Sequence, residues 1–351
     1  MARRVTIQDI ADELGLSRNT VSKALNNGDG LSDATRKRVI QKAMEMGYRQ
    51  LLFVNEYLAT QSANTPSPRE LDRNAPHEIA LFSNNFLGGS HFASLMLDAF
   101  QNEISSLGYT LSMHRVSDNH IESMSLPITF RQERVAAIIC FEMFNRAYDL
   151  MLCELGLPIL FVDGPAKIDG YSLPADQLYM ENYCGVTQLT NKLLAAGKTR
   201  LGYIGRHRDH CNSFYERYSA FRLAMLYAGL PVEERFCIAE NKKLGIGAWL
   251  DTLDELPDAF LCANDFVALD ALQALRDRGY DVPRDLWLAG FDDSSESRVS
   301  MPALTTVHIH TQTMAYTAVQ LLRSRMSEPS LDYRTVYTET DLICRASTPF
   351  E

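Results

Sequence analysis

Residues 5–48 read VTIQDIADELGLSRNTVSKALNNGDGLSDATRKRVIQKAMEMGY. Their apolar spacing predicts three short helices. In the first, Ile7, Ile10, Ala11 and Leu14 recur at helical spacing, and Thr6 with Asp9 three residues on makes a capping-box start. Gly15 is placed to end that helix at the C′ position. The second begins at its N-cap Ser17 and runs to about Asn26, with Val21, Ala24 and Leu25 inward. The third begins at Ser32 and ends at Gly47, with Val39, Ile40, Ala43 and Met44 inward. A tight GLS turn joins the first two, as a helix-turn-helix requires. With Val21 and Leu25 buried, the exposed N-terminal face of the second helix carries Arg18, Asn19, Ser22 and Lys23. Arginine forks onto guanine, asparagine onto adenine, and lysine onto guanine or phosphate, so this face is suited to reading base edges in a major groove.

The charge distribution agrees. Residues 1–50 carry nine Lys/Arg and six Asp/Glu, a net +3, whereas the remaining 301 residues carry a net −13. A mildly basic head on an acidic body confines any grip on nucleic acid to one end. The 351 residues are 46% hydrophobic and 22% charged, which excludes a mainly disordered chain, a collagen-like fibre and a small disulfide scaffold. No apolar run reaches the roughly 18–20 residues of a membrane span. The N-terminus lacks the apolar stretch of a secretory signal, so a cytoplasmic location is expected. Cysteines 140, 153, 184, 211, 237, 262 and 344 are scattered, with no C-x-x-C pair, which fits free thiols better than disulfides or a zinc site.

Beyond the head, LLFVNEYLATQ (51–61) has the apolar content of a fourth short helix, and TQSANTPSPRELDRNAP (60–76) reads as a polar linker. From Glu78 the texture changes. Strand-like runs EIALF, YTLSMH, AAIICF, PILFVD, RLGYIG, AFLCAND and LWLAGFDD alternate with amphipathic helical stretches. That alternation predicts parallel sheets with helices on both faces. More than 270 residues exceeds one comfortable core, so two lobes are expected.

The ordered elements IADELGLS, NTVSKALN, LSDATRKRV and GY resemble the DNA-binding head of the LacI/GalR family of bacterial repressors. In the body, LPILFVDG, LLAAGKTRLGYIG, ANDFVALDAL, LAGFDD and MPALTTV follow in that family's order. The resemblance therefore covers almost the whole chain. It implies an all-α helix-turn-helix head followed by a two-lobed, periplasmic-binding-protein-like α/β effector domain with parallel sheets. The expected division is 1–50 for the head, 51–76 for the hinge helix and linker, and 77–351 for effector binding and dimerisation. Within the last, lobe 1 is expected at about 77–175 plus 307–331, and lobe 2 at about 176–306 plus 332–351.

By the same resemblance, Arg18, Asn19 and Lys23 fall on base-reading positions, with Ser22 beside them. Thr6, Ser17, Thr20, Asn26, Ser32, Thr35 and Tyr48 fall among backbone contacts. Val54 and Tyr57 fall at the hinge positions that enter the minor groove. Gln50 and Leu51 stand where relatives usually carry Pro and Asn, and the linker is longer than usual. Effector contacts are implied for Asp163, Arg217, Asn264 and Asp292, with Phe92 positioned to stack on a ligand ring. Ile309 replaces a usually polar pocket residue, which points to an altered ligand.

Partners implied are double-stranded operator DNA, a sugar-like effector and a second copy of the chain. No membrane, metal or cofactor is implied. A cytoplasmic sugar-binding module leaves the helix-turn-helix unexplained. A sugar-acting enzyme lacks a catalytic set: there is no GxSxG, HExxH or phosphate loop, and RHRDHC (206–211) fits no standard zinc spacing.

Overall fold

The computed structural model describes residues 6–25, 31–46, 77–84, 91–167, 170, 172–205, 211–238 and 245–350. They belong to two units that divide after residue 72. The expected helix at 51–61, the linker, and residues Asn26, Tyr48, Val54 and Tyr57 lie outside the described residues.

The head holds α1 (Ile7–Leu14), α2 (Arg18–Leu25) and α3 (Asp33–Glu45). Thr6 Oγ1 accepts from the Asp9 amide at 3.2 Å, and Asp9 Oδ2 accepts from the Thr6 amide at 2.8 Å. Two amides that would otherwise be orphaned at the helix start are thereby satisfied. Gly15, at φ 66°, turns the chain so that the Leu16 amide reaches back to the Ala11 carbonyl at 3.0 Å. A side chain would be strained there, which makes this glycine the stop signal. Ile10, Ala11, Val21, Ala24, Val39 and Ala43 are the buried core of the head.

The second unit begins with β1 (Glu78–Ser83), α4 (His91–Ser106), β2 (Thr110–Arg115), α5 (Asp118–Glu122), β3 (Val135–Phe141), α6 (Arg146–Cys153), β4 (Ile159–Val162) and β5 (Asp176–Met180). It continues with α7 (Tyr183–Ala195), β6 (Leu201–Ile204), α8 (Asn212–Tyr227), β7 (Cys237–Ile238), α9 (Ile246–Leu250), β8 (Ala259–Cys262) and α10 (Asp265–Arg276). The last elements are β9 (Trp287–Ala289), α11 (Ser295–Val299), β10 (Thr306–Ile309), α12 (Thr311–Ser327), β11 (Thr335–Thr338) and β12 (Thr340–Ile343).

A six-stranded parallel sheet runs β11-β5-β4-β3-β1-β2, and a four-stranded parallel sheet runs β7-β6-β8-β9. Strands β10 and β12 pair antiparallel as a separate ribbon. Alternate residues of β1 enter different cores: Ile79 and Leu81 join one cluster, Ala80 and Phe82 another. Burial on both faces is why these strands read as unbroken apolar runs.

The expected lobe boundaries need correction. Residues 176–180 and 335–338 were both expected in lobe 2, yet β5 pairs with β4, and β11 pairs with β5, so both complete the first sheet. The reason lies in Asp176, the first residue of β5, which is 1% exposed. Arg325 Nε and Nη2 donate to it at 3.0 and 3.1 Å, and Arg334 donates its backbone amide at 2.8 Å and Nη2 at 3.0 Å. Burial pushes the Asp176 carboxyl up, but these donors outweigh it and hold it below the usual range. A buried ion cluster thus replaces the apolar start by which a strand is recognised.

Arg325 also donates to the carbonyls of Pro329, Leu331 and Asp332, closing the turn before β11. Arg325→Ala should therefore destabilise the body by about 3–5 kcal/mol, as expected when one partner of a buried ion pair is removed. Urea unfolding monitored by circular dichroism measures this. A loss below about 1 kcal/mol would show that the cluster is incidental to the edge of the sheet.

Candidate DNA-binding and effector sites

In the head, Val21 and Ala24 turn into the core, while Arg18, Asn19 and Lys23 are exposed and Ser22 is half-buried. The helix starts are alike. Ser17 Oγ accepts from the Thr20 amide at 3.1 Å and lies 2.8 Å from the Thr20 hydroxyl. Ser32 Oγ accepts from the Thr35 amide at 3.2 Å and lies 2.8 Å from the Thr35 hydroxyl. Each pair caps its helix and sets hydroxyl groups at a positive helix end, where phosphate oxygens are favoured. Thr6, exposed, also caps its helix, with its hydroxyl donating to Asp9 Oδ2 at 2.7 Å.

In the body, the strand ends carry unusual backbone. Five non-glycine residues among those described have positive φ, and four of them follow β3, β4 and β9: Glu142 (49°), Asp163 (53°), Asp292 (117°) and Asp293 (55°). Such conformations are costly and persist where surrounding structure imposes them, which is typical of ligand sites. Carboxyl ends of parallel strands are also where open α/β folds bind ligands.

Arg217, on α8 and 3% exposed, is the centre of the cluster. Its Nε donates to Asn182 Oδ1 at 2.9 Å and its Nη1 to the Ala263 carbonyl at 2.7 Å. Nη1 also lies 3.6 Å from Asp292 Oδ1, and the guanidinium stacks 3.6 Å from the centre of the Phe291 ring. Asp163 Oδ1 accepts from Ser213 Oγ at 2.6 Å. Burial pushes the Asp163 carboxyl up to about 6, against the opposing pull of Ser213 and Arg217. Burial likewise holds Asp292 well above the usual range, with Arg217 opposing and neighbouring carboxylates reinforcing.

Asn264 follows β8 and caps α10, its Oδ1 accepting from the Val267 amide at 2.9 Å. It is adjacent in sequence to Ala263, whose carbonyl takes the Arg217 proton. The structure thus sets Asp292 beside the Arg217 guanidinium and Asp163 against Ser213 of the same helix, with Asn264 next to the backbone acceptor of Arg217. Phe92 lies in the first turn of α4, and its side chain is outside the described atoms.

Asp292 and Asp293 diverge. Asp293 turns to His308 at 2.9 Å, to Arg298 at 2.7 Å and to Arg345, away from Arg217. Adjacent strand-end residues pointing apart do not make an acid/base pair. Among the described residues no cluster of His, Cys, Asp or Glu is arranged to hold a metal, and no helix is long and apolar enough to cross a membrane.

Sequence reading missed three members of this cluster: Asn182, Ser213 and Glu216. Asn182 Nδ2 donates to the Met180 carbonyl at 3.0 Å and to Glu216 Oε2 at 2.8 Å. The bonds that tie them into the cluster, Asn182–Glu216, Ser213–Asp163 and Arg217–Asn182, span 34, 50 and 35 residues, so no local spacing marks them.

Residues 6–50 match the family described as "Bacterial regulatory proteins, lacI family", and residues 190–348 match the "Periplasmic binding protein-like domain". The HTH-type transcriptional regulator RegA of Clostridium saccharobutylicum is 27% identical over 350 residues, covering 98% of this chain and 99% of its own. CelR, an HTH-type transcriptional regulator of Thermobifida fusca, is 26% identical over 355 residues, covering 98% of each chain. Among solved structures, a transcriptional regulator CelR–cellobiose complex superposes with a TM-score of 0.68 at 24% identity, covering 98% of this chain and all of that one. The lac repressor dimer bound to operator and the anti-inducer ONPF superposes at 0.61 with 19% identity, covering 98% and 99%. A helix-turn-helix head and a two-lobed body thus recur together along nearly the full length of these proteins. The chain belongs to the lacI family of bacterial regulatory proteins and is a DNA-binding transcriptional regulator.

Proposed function

We propose that the protein is a cytoplasmic homodimer that represses carbohydrate-use genes and is controlled by a sugar or sugar derivative bound in the body. Each head reads one half-site of a pseudopalindromic operator, matching the two-fold symmetry of the dimer. Arg18, Asn19, Ser22 and Lys23 read base edges. Thr6, Ser17, Thr20, Ser32 and Thr35 contact phosphates, together with Asn26 and Tyr48. Val54 and Tyr57 serve the hinge in the minor groove.

The observation that carries the effector reading is that Asp163 and Asp292, beyond the carboxyl ends of β4 and β9, both meet α8, through Ser213 and Arg217. Carboxylates and a guanidinium suit hydroxyl-rich ligands, whose O–H groups both donate and accept. The relatives are consistent: one solved neighbour is a cellobiose complex and another a complex with D-xylulofuranose. Asn264 and Phe92 complete the pocket. The ligand biases a two-state arrangement of the lobes, and operator affinity follows. The protein acts as a regulator and not as an enzyme, in keeping with relatives that are named transcriptional regulators.

Two measurements test this reading. A gel shift with DNA upstream of the gene should show sequence-specific binding. A thermal-shift screen of common sugars and sugar phosphates, cellobiose included, should find a ligand that raises the unfolding temperature, because it binds only the native state. Specific binding with no shift by any sugar would remove the effector class and leave the DNA role.

For the head, Arg18→Ala should weaken operator binding by about 1–3 kcal/mol and relax base preference at one position per half-site. Selection from a randomised site reads this directly. Unchanged preference with weakened binding would reassign Arg18 to phosphate.

A further inference from the structure

Asn182 immediately precedes α7, yet its side chain makes no capping bond. The carboxylate of Glu181 does that work, accepting from the amides of Tyr183 at 3.1 Å and Cys184 at 2.6 Å. The Asn182 amide, fully buried, is used elsewhere. Its Nδ2 faces two acceptors, the Met180 carbonyl and Glu216 Oε2, and its Oδ1 receives the Arg217 Nε proton. Glu216 is also buried, and its second oxygen accepts from the Tyr337 hydroxyl at 2.7 Å.

The direction of these bonds is chemically constrained. A guanidinium only donates, and a carboxylate and a carbonyl only accept. Flipping the Asn182 amide would set NH₂ against the guanidinium and C=O against the carboxylate, so it has one satisfied orientation. Glu216 helps enforce that orientation from the far side of the amide. Tyr337, on β11 of the first sheet, holds the carboxylate in place.

We propose that Glu216 is a positioning residue for the effector site, acting through Asn182 to fix the Arg217 guanidinium. This rests on the reading of Arg217 as an effector contact. The chain Tyr337–Glu216–Asn182–Arg217 joins the six-stranded sheet to the residues at the ends of β8 and β9. What the site requires of residue 216 is an acceptor for Asn182, not a negative charge.

The test uses the full-length protein without ligand. The side-chain Nε–H of Arg217, identified as the resonance lost in Arg217→Lys, is followed for exchange with solvent. Glu216→Leu, similar in bulk but unable to accept, should speed that exchange at least tenfold. Glu216→Gln should stay within about threefold of the parent, since its carbonyl accepts from Asn182 and its NH₂ reaches the Tyr337 oxygen. Glu216→Ala gives the same comparison where Glu216→Leu does not fold. Unchanged exchange on loss of the acceptor would overturn the proposal. Equal damage from glutamine and leucine would also overturn it, by showing that charge is what matters. A packing role alone lowers the unfolding temperature without this split. Separately, if Arg217→Ala retains a sugar-induced thermal shift, the effector reading of Arg217 fails while the exchange comparison still decides the role of Glu216.

Discussion

Arg217→Ala should abolish the effector response while operator affinity stays within about threefold of the parent. The guanidinium touches Asn182, the Ala263 carbonyl, Asp292 and the Phe291 ring, all in the body. None of these groups belongs to the head. Removal leaves the Asn182 and Ala263 oxygens without their donor and Asp292 without its cation. A buried charge stripped of its partner costs about 3–5 kcal/mol, so the body should also lose stability on that scale. Asp292 is already held above the usual range by burial, and losing the opposing pull of Arg217 pushes it further up. The measurement pairs operator titrations, with and without the sugar found by screening, against urea unfolding of the same variant. Loss of DNA binding with effector affinity retained would reverse the assignment, placing Arg217 on the path of operator contact.

The sequence revealed most where an element follows one rule throughout. PILFVD announces β4 because every residue of the strand is buried and apolar. Val21 and Ala24 set the inward side of α2, and that alone exposes Arg18, Asn19 and Lys23. Strand β5 hid because its first two residues, Asp176 and Gln177, are buried polar groups: Asp176 is met by Arg325 from far along the chain, and Gln177 by Ser172 and Tyr179 nearby. A buried aspartate reads as a surface residue until Arg325, 149 residues away, is seen beside it. Family resemblance singled out Asp163, Arg217, Asn264 and Asp292 one by one. It was silent on what orients them, since Asn182 and Glu216 act only through contacts that the fold creates. The left-handed backbone at Asp163 and Asp292 was equally invisible, because aspartate carries no marker of positive φ as glycine does.

Asp149 offers the contrary case, a buried carboxyl with no hydrogen-bond partner among the described residues. It lies on α6, is fully buried, and neither carboxylate oxygen has a hydrogen-bond partner. Tyr148 and Leu152 beside it belong to the core of the first sheet. Burial alone pushes its carboxyl from 3.8 up to about 8. The folded state therefore keeps its proton between about pH 4 and 8, where the unfolded chain has released it. Unfolding in that window frees a proton, so stability falls as pH rises, by about 1.4 kcal/mol per unit for this one group. Below pH 4 both states are protonated and the group exerts no slope; above pH 8 both are ionised and the loss is complete. Asp149→Leu should accordingly stabilise the protein at pH 7 by about 2–4 kcal/mol, the upper figure being the full linkage cost before local relaxation. Asp149→Asn should flatten the pH dependence while gaining less, because a buried amide without partners carries its own penalty. Urea unfolding from pH 5 to 8, followed by far-ultraviolet circular dichroism, compares the three proteins. Both tryptophans belong to α9 and β9, remote in sequence from this helix, so their fluorescence is the poorer probe. If wild type and Asp149→Asn show parallel pH profiles, the carboxyl ionises normally in the folded state. Water or a neighbouring donor must then reach it, and the core beneath β3 is more open than its packing indicates.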